Sequence, residues 1–299
     1  MLKRMVIGYF LDIIAILPIW FLHIWANIIS FFLRYIIRYR KRMIRSNLQY
    51  AFPEKGSSEL AVIEKNYYLH LSDCIVETIK LKHMSERKLG KRLGVKNIAP
   101  VNQSFEEGQP VIILLGHMGN WEWLPHFTTL FPEGVSFGEI YHKLHDSEWD
   151  DFIHQIRNRW EKVTLIPQKS AVKTLLRWNQ ERVWGAAFII DQRPNGRNMK
   201  NWFDFLGHPT PFSIGAQSIG LKTKGRFFYA DVTRPKRGYY TVEFIEIATP
   251  EEKKNSDNVM KEYVRLLEDN IRRQPEIWLW SHNRWKYKQP NNNNQNKQK

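Results

Sequence analysis

The sequence predicts an α/β domain with a mostly parallel central sheet flanked by helices, preceded by an apolar helix. Three observations carry this. Two continuous apolar runs of strand length, Val111–Leu115 and Gly185–Ile190, are bounded by Pro110, Gly116 and Asp191, as strands covered on both faces are. Helical patterns around Asp146–Trp160, Lys169–Trp178 and Ile214–Lys222 alternate with these runs, and such alternation builds parallel sheets. Residues 13–33 carry no charged side chain; as a helix they cover roughly 30 Å, the hydrocarbon thickness of a bilayer.

The apolar run comes first along the chain. Lys3 and Arg4 precede it, and Arg34, Arg38, Arg40, Lys41, Arg42 and Arg45 follow it. It has no small-residue cleavage site after it and is too long for a signal peptide. The heavier basic flank is C-terminal, so the positive-inside rule places the remaining chain in the cytoplasm. Asp12, His23, Asn27, Ser30, Arg34 and Arg38 fall within about 80° of one another around a helix. A membrane-spanning helix turns this polar stripe toward protein; an interfacial helix turns it toward headgroups. A buried core helix is a third reading, disfavoured by the length and the basic flank. In the first two the basic cluster contacts anionic lipid, at about 1 kcal/mol per cation.

Residues 43–94 read as helical, most clearly Asn66–Lys82, where Tyr67, Tyr68, Leu71, Ile75 and Ile79 recur at helical spacing after the breakers Pro53 and Gly56. Phe227–Val232 and Tyr239–Ile245 are β-rich and joined through Pro235 and Gly238, a hairpin pattern. A last helix is expected over Asp257–Arg273. The tail from Pro290 holds only Asn, Gln and Lys after its proline, a composition that builds no core and predicts disorder. The expected division is a membrane-anchoring helix at 1–42, a catalytic domain at 43–288 and a polar tail at 289–299.

Composition narrows the function. The 299 residues are 43% hydrophobic and 25% charged, which is globular. The mean hydropathy of −0.48 excludes several membrane spans. A single cysteine, Cys74, excludes an intramolecular disulfide framework and multi-cysteine metal sites. The net charge of +15 with 12 Trp fits single-stranded nucleic acid or a membrane surface. The apolar N-terminus favours the membrane, since a nucleic-acid groove has no use for residues 1–40. A non-catalytic membrane scaffold would keep that helix but make no demand on the segment considered next.

Pro110–Trp123 (P-V-I-I-L-L-G-H-M-G-N-W-E-W) runs a buried strand into a glycine turn. Ligands of open α/β sheets bind beyond the carboxyl ends of strands, where His117 stands. Gly116 and Gly119 permit close backbone approach. Glu122 opens the next helix within reach of His117, and a carboxylate-oriented histidine is a general base for a hydroxyl. The N–H groups of the turn are candidate oxyanion donors. The plainer reading is a histidine that caps a helix or satisfies a buried backbone group. His126, His142 and His145 lie nearby, but their spacing fits no zinc pattern. No G-x-S-x-G elbow occurs, and Cys74 lies in a helical segment far from the motif.

With these residues in view, G-H-M-G-N-W-E resembles the His-x-x-x-x-acid motif of the bacterial lipid A late acyltransferases, within the wider lysophospholipid acyltransferase superfamily. The similarity covers most of the chain: Arg45–Glu54 (R-S-N-L-Q-Y-A-F-P-E), the helical Glu77, Ile189–Arg193, Trp202–Thr210 (W-F-D-F-L-G-H-P-T) and Pro275–Lys286 (P-E-I-W-L-W-S-H-N-R-W-K). Arg193 stands where the family usually has an acid, and Lys143 where it usually has an arginine. The resemblance implies a glycerolipid-acyltransferase-like fold and a membrane enzyme facing the cytoplasm of the bacterial inner membrane. It implies O-acyl transfer from an acyl carrier protein thioester, or coenzyme A, to a hydroxyl of a lipid A precursor; a lysophospholipid or aminolipid is the second acceptor. His117 and Glu122 are then catalytic, and Gly119, Asn120, Lys143, Arg157 and Asp191 bind substrate, with Lys143 and Arg157 holding phosphates. Neither cofactor nor metal is expected, and the partners are the carrier protein, the lipid acceptor and an anionic membrane surface. Trp278 and Trp280 alternate and are expected to pack.

Overall fold

Pro18 shapes the N-terminal segment. The computed structural model describes residues 2–143, 146–160, 162–194, 199–248 and 257–289, and it begins with two helices, α1 (Leu2–Ile16) and α2 (Ile19–Phe31), the second extended by a π-helical turn over Phe32–Ile36. The single helix expected across residues 13–33 is therefore interrupted. Proline has no N–H to donate and crowds the preceding turn. The freed carbonyls of Ala15 and Ile16 accept from Lys80 Nζ at 2.8 and 3.2 Å.

After α3 (Lys41–Ala51), the long α4 (Ser57–Leu81) runs antiparallel to α1 and α2 and takes up their polar stripe. Asp12 meets Lys82 at 2.6 Å and His83 at 2.9 Å, just beyond α4. His23 Nε2 lies 2.9 Å from Glu77 Oε1, and Arg34 Nε lies 3.3 Å from Glu64 Oε1. Asp12, His23 and Arg34 of the stripe thus face protein, while Asn27 and Arg38 stay exposed.

The sheet follows. In chain order come α5 (Glu86–Gly90), β1 (Leu93–Lys96), α6 (Ala99–Glu106), β2 (Val111–Leu115), a 3₁₀ helix over Trp121–Leu130, β3 (Ser136–Tyr141), α7 (Ser147–Arg157), β4 (Val163–Pro167), α8 (Ala171–Glu181) and β5 (Trp184–Ile189). A small hairpin, β6 (Trp202–Phe205) and β7 (His208–Pro211), leads to α9 (Gly215–Thr223), β8 (Arg226–Lys236), β9 (Tyr239–Ala248) and α10 (Asp257–Arg273). The seven-stranded sheet has the order β1-β9-β8-β2-β5-β3-β4. All its pairs are parallel except the β8–β9 hairpin. All of β2 is buried, with α6 and α9 packed on it and α10 on β8 and β9. Burying each such aliphatic side chain contributes about 1.5–3 kcal/mol.

Two details of the sheet set up the site. Leu115 of β2 pairs with Ile189 of β5, so both strands end level. The residues two positions beyond each, His117 and Asp191, thus emerge side by side at the carboxyl edge. The strands absent from the sequence reading, β1, β3, β4 and the β6–β7 hairpin, are short or carry polar residues inside, such as Glu139 in β3.

Candidate active site

His117 leaves the end of β2 on a turn held tight by its neighbours. A Cβ at Gly116 would lie 2.6 Å from Leu267 Cδ1 and 3.5 Å from Asp191 Oδ2. Gly119 has φ +59°, and a Cβ there would lie 2.9 Å from Val232 and 3.0 Å from Tyr240. Both positions exclude a side chain.

The carboxylate that orients His117 is Asp191. Its Oδ1 lies 2.6 Å from His117 Nδ1, and its Oδ2 accepts from the His117 backbone N–H at 2.9 Å and from Trp278 Nε1 at 2.7 Å. Asp191 is buried. Burial pushes its carboxyl up, but the His117 ring, the His117 N–H and the Trp278 indole outweigh this and hold it below the usual carboxylate value. Gln192 Nε2 lies 3.2 Å from His117 Nε2. With Nδ1–H turned to Asp191, Nε2 carries the lone pair and accepts from the Gln192 amide. That lone pair is where an incoming hydroxyl would donate.

Glu122 does not turn back to His117. Arg157 Nε donates to its Oε2 and Arg157 Nη2 to its Oε1, each at 2.7 Å, and Trp121 Nε1 donates to Oε1 at 3.0 Å. Arg157 Nη1 lies 2.9 Å from Glu139 Oε1, so its guanidinium is taken by two glutamates rather than left open for a phosphate. Burial lowers the Arg157 proton affinity, but Glu122 and Glu139 outweigh it and raise it overall. Burial pushes the Glu139 carboxyl up to about 7, against the pull of Arg157. This cluster fixes Trp121, whose ring meets His117 edge to face at 5.1 Å.

The turn differs from expectation in its donors as well. The N–H of His117 goes to Asp191, that of Met118 to the Gly116 carbonyl and that of Gly119 to the Ile277 carbonyl. None of the three is free for an oxyanion: one bond closes within the turn, and the others go to Asp191 and Ile277. Asn120 is buried and donates to Glu77 Oε2 at 3.2 Å, so its amide points into the core. Glu77, fully buried, also accepts from Tyr240 Oη at 2.8 Å. Burial pushes its carboxyl up, but His23, Arg234, Tyr240 and Asn120 outweigh this and lower it.

Lys143 is exposed beyond β3, on the same carboxyl edge. Trp278 and Trp280 are buried as expected. Cys74 is buried against His70 and the Gly119 carbonyl, and burial raises its thiol well above the ordinary value. His142 is exposed and His126 buried, while His145 lies outside the described residues. Among the described residues no group of three or more His, Cys, Asp or Glu is placed to hold a metal ion. A crevice of about 20 Å³ beside the site, lined by Trp121, Leu124, Phe137, Glu139, Ala187 and Ile189 among others, holds little more than one water.

A family model described as bacterial lipid A biosynthesis acyltransferase matches residues 3–287. The chain belongs to this family. A comparison with curated proteins finds no match. The family makes the chain an acyltransferase of lipid A biosynthesis. Gln192 and Glu139 were not singled out in the sequence, and Asp191 was placed with the substrate. The signal for Asp191 is that it closes the apolar run Gly185–Ile190 at the sheet edge of His117, which the sequence shows; its contact with the ring becomes readable only with the register.

Proposed function

We propose that this acyltransferase moves a fatty acyl chain from an acyl carrier protein thioester to a hydroxyl of a lipid A precursor, on the cytoplasmic side of the bacterial inner membrane. The observation that carries the catalytic part is the 2.6 Å contact between His117 Nδ1 and Asp191, which leaves Nε2 as the base. The acceptor hydroxyl replaces the Gln192 amide at Nε2. As its oxygen attacks the thioester carbonyl, its proton passes to Nε2 and Asp191 stabilises the imidazolium. The tetrahedral intermediate collapses with loss of the C–S bond, and the imidazolium returns the proton to the departing thiolate. The products are an ester and a free thiol, with no acyl-enzyme. Gln192, displaced from Nε2, is the nearest amide donor for the developing oxyanion.

Glu122 acts in this reading through Arg157 and Trp121, as a positioning residue. Gly119 and Asn120 shape the turn that carries His117. Lys143 is assigned to a phosphate of the acceptor. The acyl chain needs Trp121 to move, since the crevice behind it is too small for one. Membrane attachment runs through residues 1–42, where Tyr9, Ile13, Trp20, Ile24, Ile28 and Phe31 stand exposed. A lysophospholipid or aminolipid acceptor and a coenzyme A donor are the alternatives.

The test is mass spectrometry of membrane lipids from a strain lacking the gene, paired with transfer by the purified full chain from acyl carrier protein. Loss of one acyl chain from lipid A in the strain, and its return in vitro, is the expected result. An unchanged lipid A profile with loss of another acylated lipid would move the acceptor assignment.

A further inference from the structure

One face of the sheet carries a line of side chains that runs down from the catalytic edge. Leu115 pairs with Ile189, Glu139 with Ala187, and Phe137 with Val163. Residues paired across parallel strands, or two apart along one strand, point to the same side. All six therefore share a face, and all six line the small crevice behind Trp121. Trp121 also lines it and meets the His117 ring edge to face at 5.1 Å, which marks the end nearer the site. Leu115 and Ile189 come first, two positions before His117 and Asp191. Ala187 and Glu139 follow, and Phe137 and Val163 lie deepest. Strand rise puts Ala187, four residues before Asp191, about 13 Å below the edge.

Glu139 is the one polar side chain among these six, and it is only half satisfied. It is 8% exposed. Its Oε1 lies 2.9 Å from Arg157 Nη1, while its Oε2 is buried with no hydrogen-bond partner among the described residues. The charged groups facing it are Arg157 from α7 and Glu122 from the 3₁₀ helix, and Arg157 holds both oxygens of Glu122. Its strand neighbours, Ala187 on β5 and Leu165 on β4, carry no charge. Apolar surface continues past it to Phe137 and Val163, so the crevice does not end at Glu139 as at a wall. A carboxyl oxygen stands part-way along an apolar path instead. Water satisfies such an oxygen, and the crevice volume of about 20 Å³ has room for one. A hydrocarbon does not: a methylene in that place excludes the water and leaves Oε2 unpaired. The penalty is greater for the carboxylate than for the neutral acid. Burial pushes the Glu139 carboxyl up to about 7, so it passes between the two forms near neutral pH.

We propose that Glu139 sets the upper length of the donated acyl chain: a chain that ends above its carboxyl is accepted, and one that must pass it is refused. At about 13 Å from the edge, the limit falls near a chain of roughly ten to twelve carbons. Glu139 takes no part in the proton transfer; it selects the donor by what a longer tail would leave unpaired. The proposal rests on the reading above that the chain enters behind Trp121.

The test measures kcat/KM of the purified full chain for acyl carrier protein loaded with decanoyl, dodecanoyl, tetradecanoyl and hexadecanoyl chains, at pH 6 and pH 8. Comparing chains at one pH cancels the ionisation of His117, which acts on every donor alike. Wild type at pH 8 should use hexadecanoyl about tenfold or more below dodecanoyl. That gap should narrow at pH 6, where Glu139 is protonated. Glu139→Leu should close it at both pH values. Because leucine strips Arg157 of one partner, Glu139→Gln is the second variant, with near-ultraviolet circular dichroism as the folding control for both. The amide still needs a polar partner but does not titrate, so its gap should persist and be the same at pH 6 and pH 8. Ala187→Leu adds bulk beside Glu139 and should shorten the accepted chain whatever Glu139 does. A wild-type enzyme with no gap at pH 8, a gap unchanged in folded Glu139→Leu, or one in Glu139→Gln that still shifts with pH overturns Glu139 as the limit. If Ala187→Leu shortens the chain in the same experiment, the path behind Trp121 stands. A length profile untouched by folded Ala187→Leu shows that the chain does not enter the crevice, and overturns that reading together with the proposal.

Discussion

Asp191→Asn separates the observed orienting group from the one nearer in sequence. The substitution keeps size and burial but removes the charge 2.6 Å from His117 Nδ1. With charge centres roughly 4 Å apart and an effective dielectric near 20, that charge stabilises the imidazolium by about 4 kcal/mol, or about 10³-fold in rate. The asparagine NH₂ also faces Nδ1 as a donor, which drives the proton to Nε2 and removes the base. The expected loss in kcat is about 10²–10⁴-fold, with KM for either substrate changed much less. The assay follows initial rates of acyl transfer from acyl carrier protein in detergent micelles, with near-ultraviolet circular dichroism as the folding control. Glu122→Gln is the comparison, expected to lose at most about tenfold in kcat because its carboxylate meets Arg157. An Asp191→Asn enzyme within threefold of wild type, with Glu122→Gln inactive, would refute the orientation through Asp191.

Glu77→Ala leaves Asn120, Tyr240 and His23 without their shared acceptor, and should cost about 3–5 kcal/mol, read as a drop in denaturant midpoint; no change would refute the buried hub. Glu139 has a folded pKa of about 7, above the ordinary carboxylate value, so the native state keeps a proton that the unfolded chain releases. Stability from this group therefore falls as pH rises between about 4.5 and 7, and Glu139→Gln should gain in melting temperature relative to wild type at pH 8 more than at pH 5. His70 is buried with its pKa lowered to about 3 by burial, so its contribution is present above about pH 6.5 and lost as pH falls toward 3; His70→Gln should flatten the acid limb of the stability curve. If acyl carrier protein docks on the basic surface, initial rates at subsaturating donor should fall as salt rises; a salt-independent rate favours coenzyme A.

The parts of the fold legible in the sequence are those where one physical signal dominates. Val111–Leu115 is apolar throughout because both faces of β2 are covered, and Asp257–Arg273 has an amphipathic period that α10 keeps. The hairpin at Gly238 follows from β-rich flanks. β3 was hidden because Glu139 interrupts it, tolerated in the core only through Arg157 from α7, a partner with no sequence signature. The two-helix N-terminus was legible in Pro18, whose effect on a helix interior is large, but the length of the apolar run masked it. At the site, His117 and Asp191 were each legible as strand-end residues, but not their pairing. Glu122 is five positions away along the chain, whereas Asp191 is brought beside His117 by the β2–β5 register. Which strands are neighbours is a property of the sheet order, and no local pattern encodes it. Lys143 and Arg157 were equally plausible as free cations; only the two glutamates around Arg157 distinguish them.

The central claim is that His117 Nε2 takes the proton of the acceptor hydroxyl, and His117→Ala in the 299-residue chain tests it most directly. The turn is held by Asp191 contacts to the backbone, by Trp278 and by Ile277, so the variant should fold and attach to membranes as wild type does. The account predicts a loss in kcat of about 10²–10⁴-fold with His126→Ala, a buried histidine outside the turn, retaining most turnover once its folding is verified. Near-wild-type turnover by folded, membrane-bound His117→Ala would contradict it.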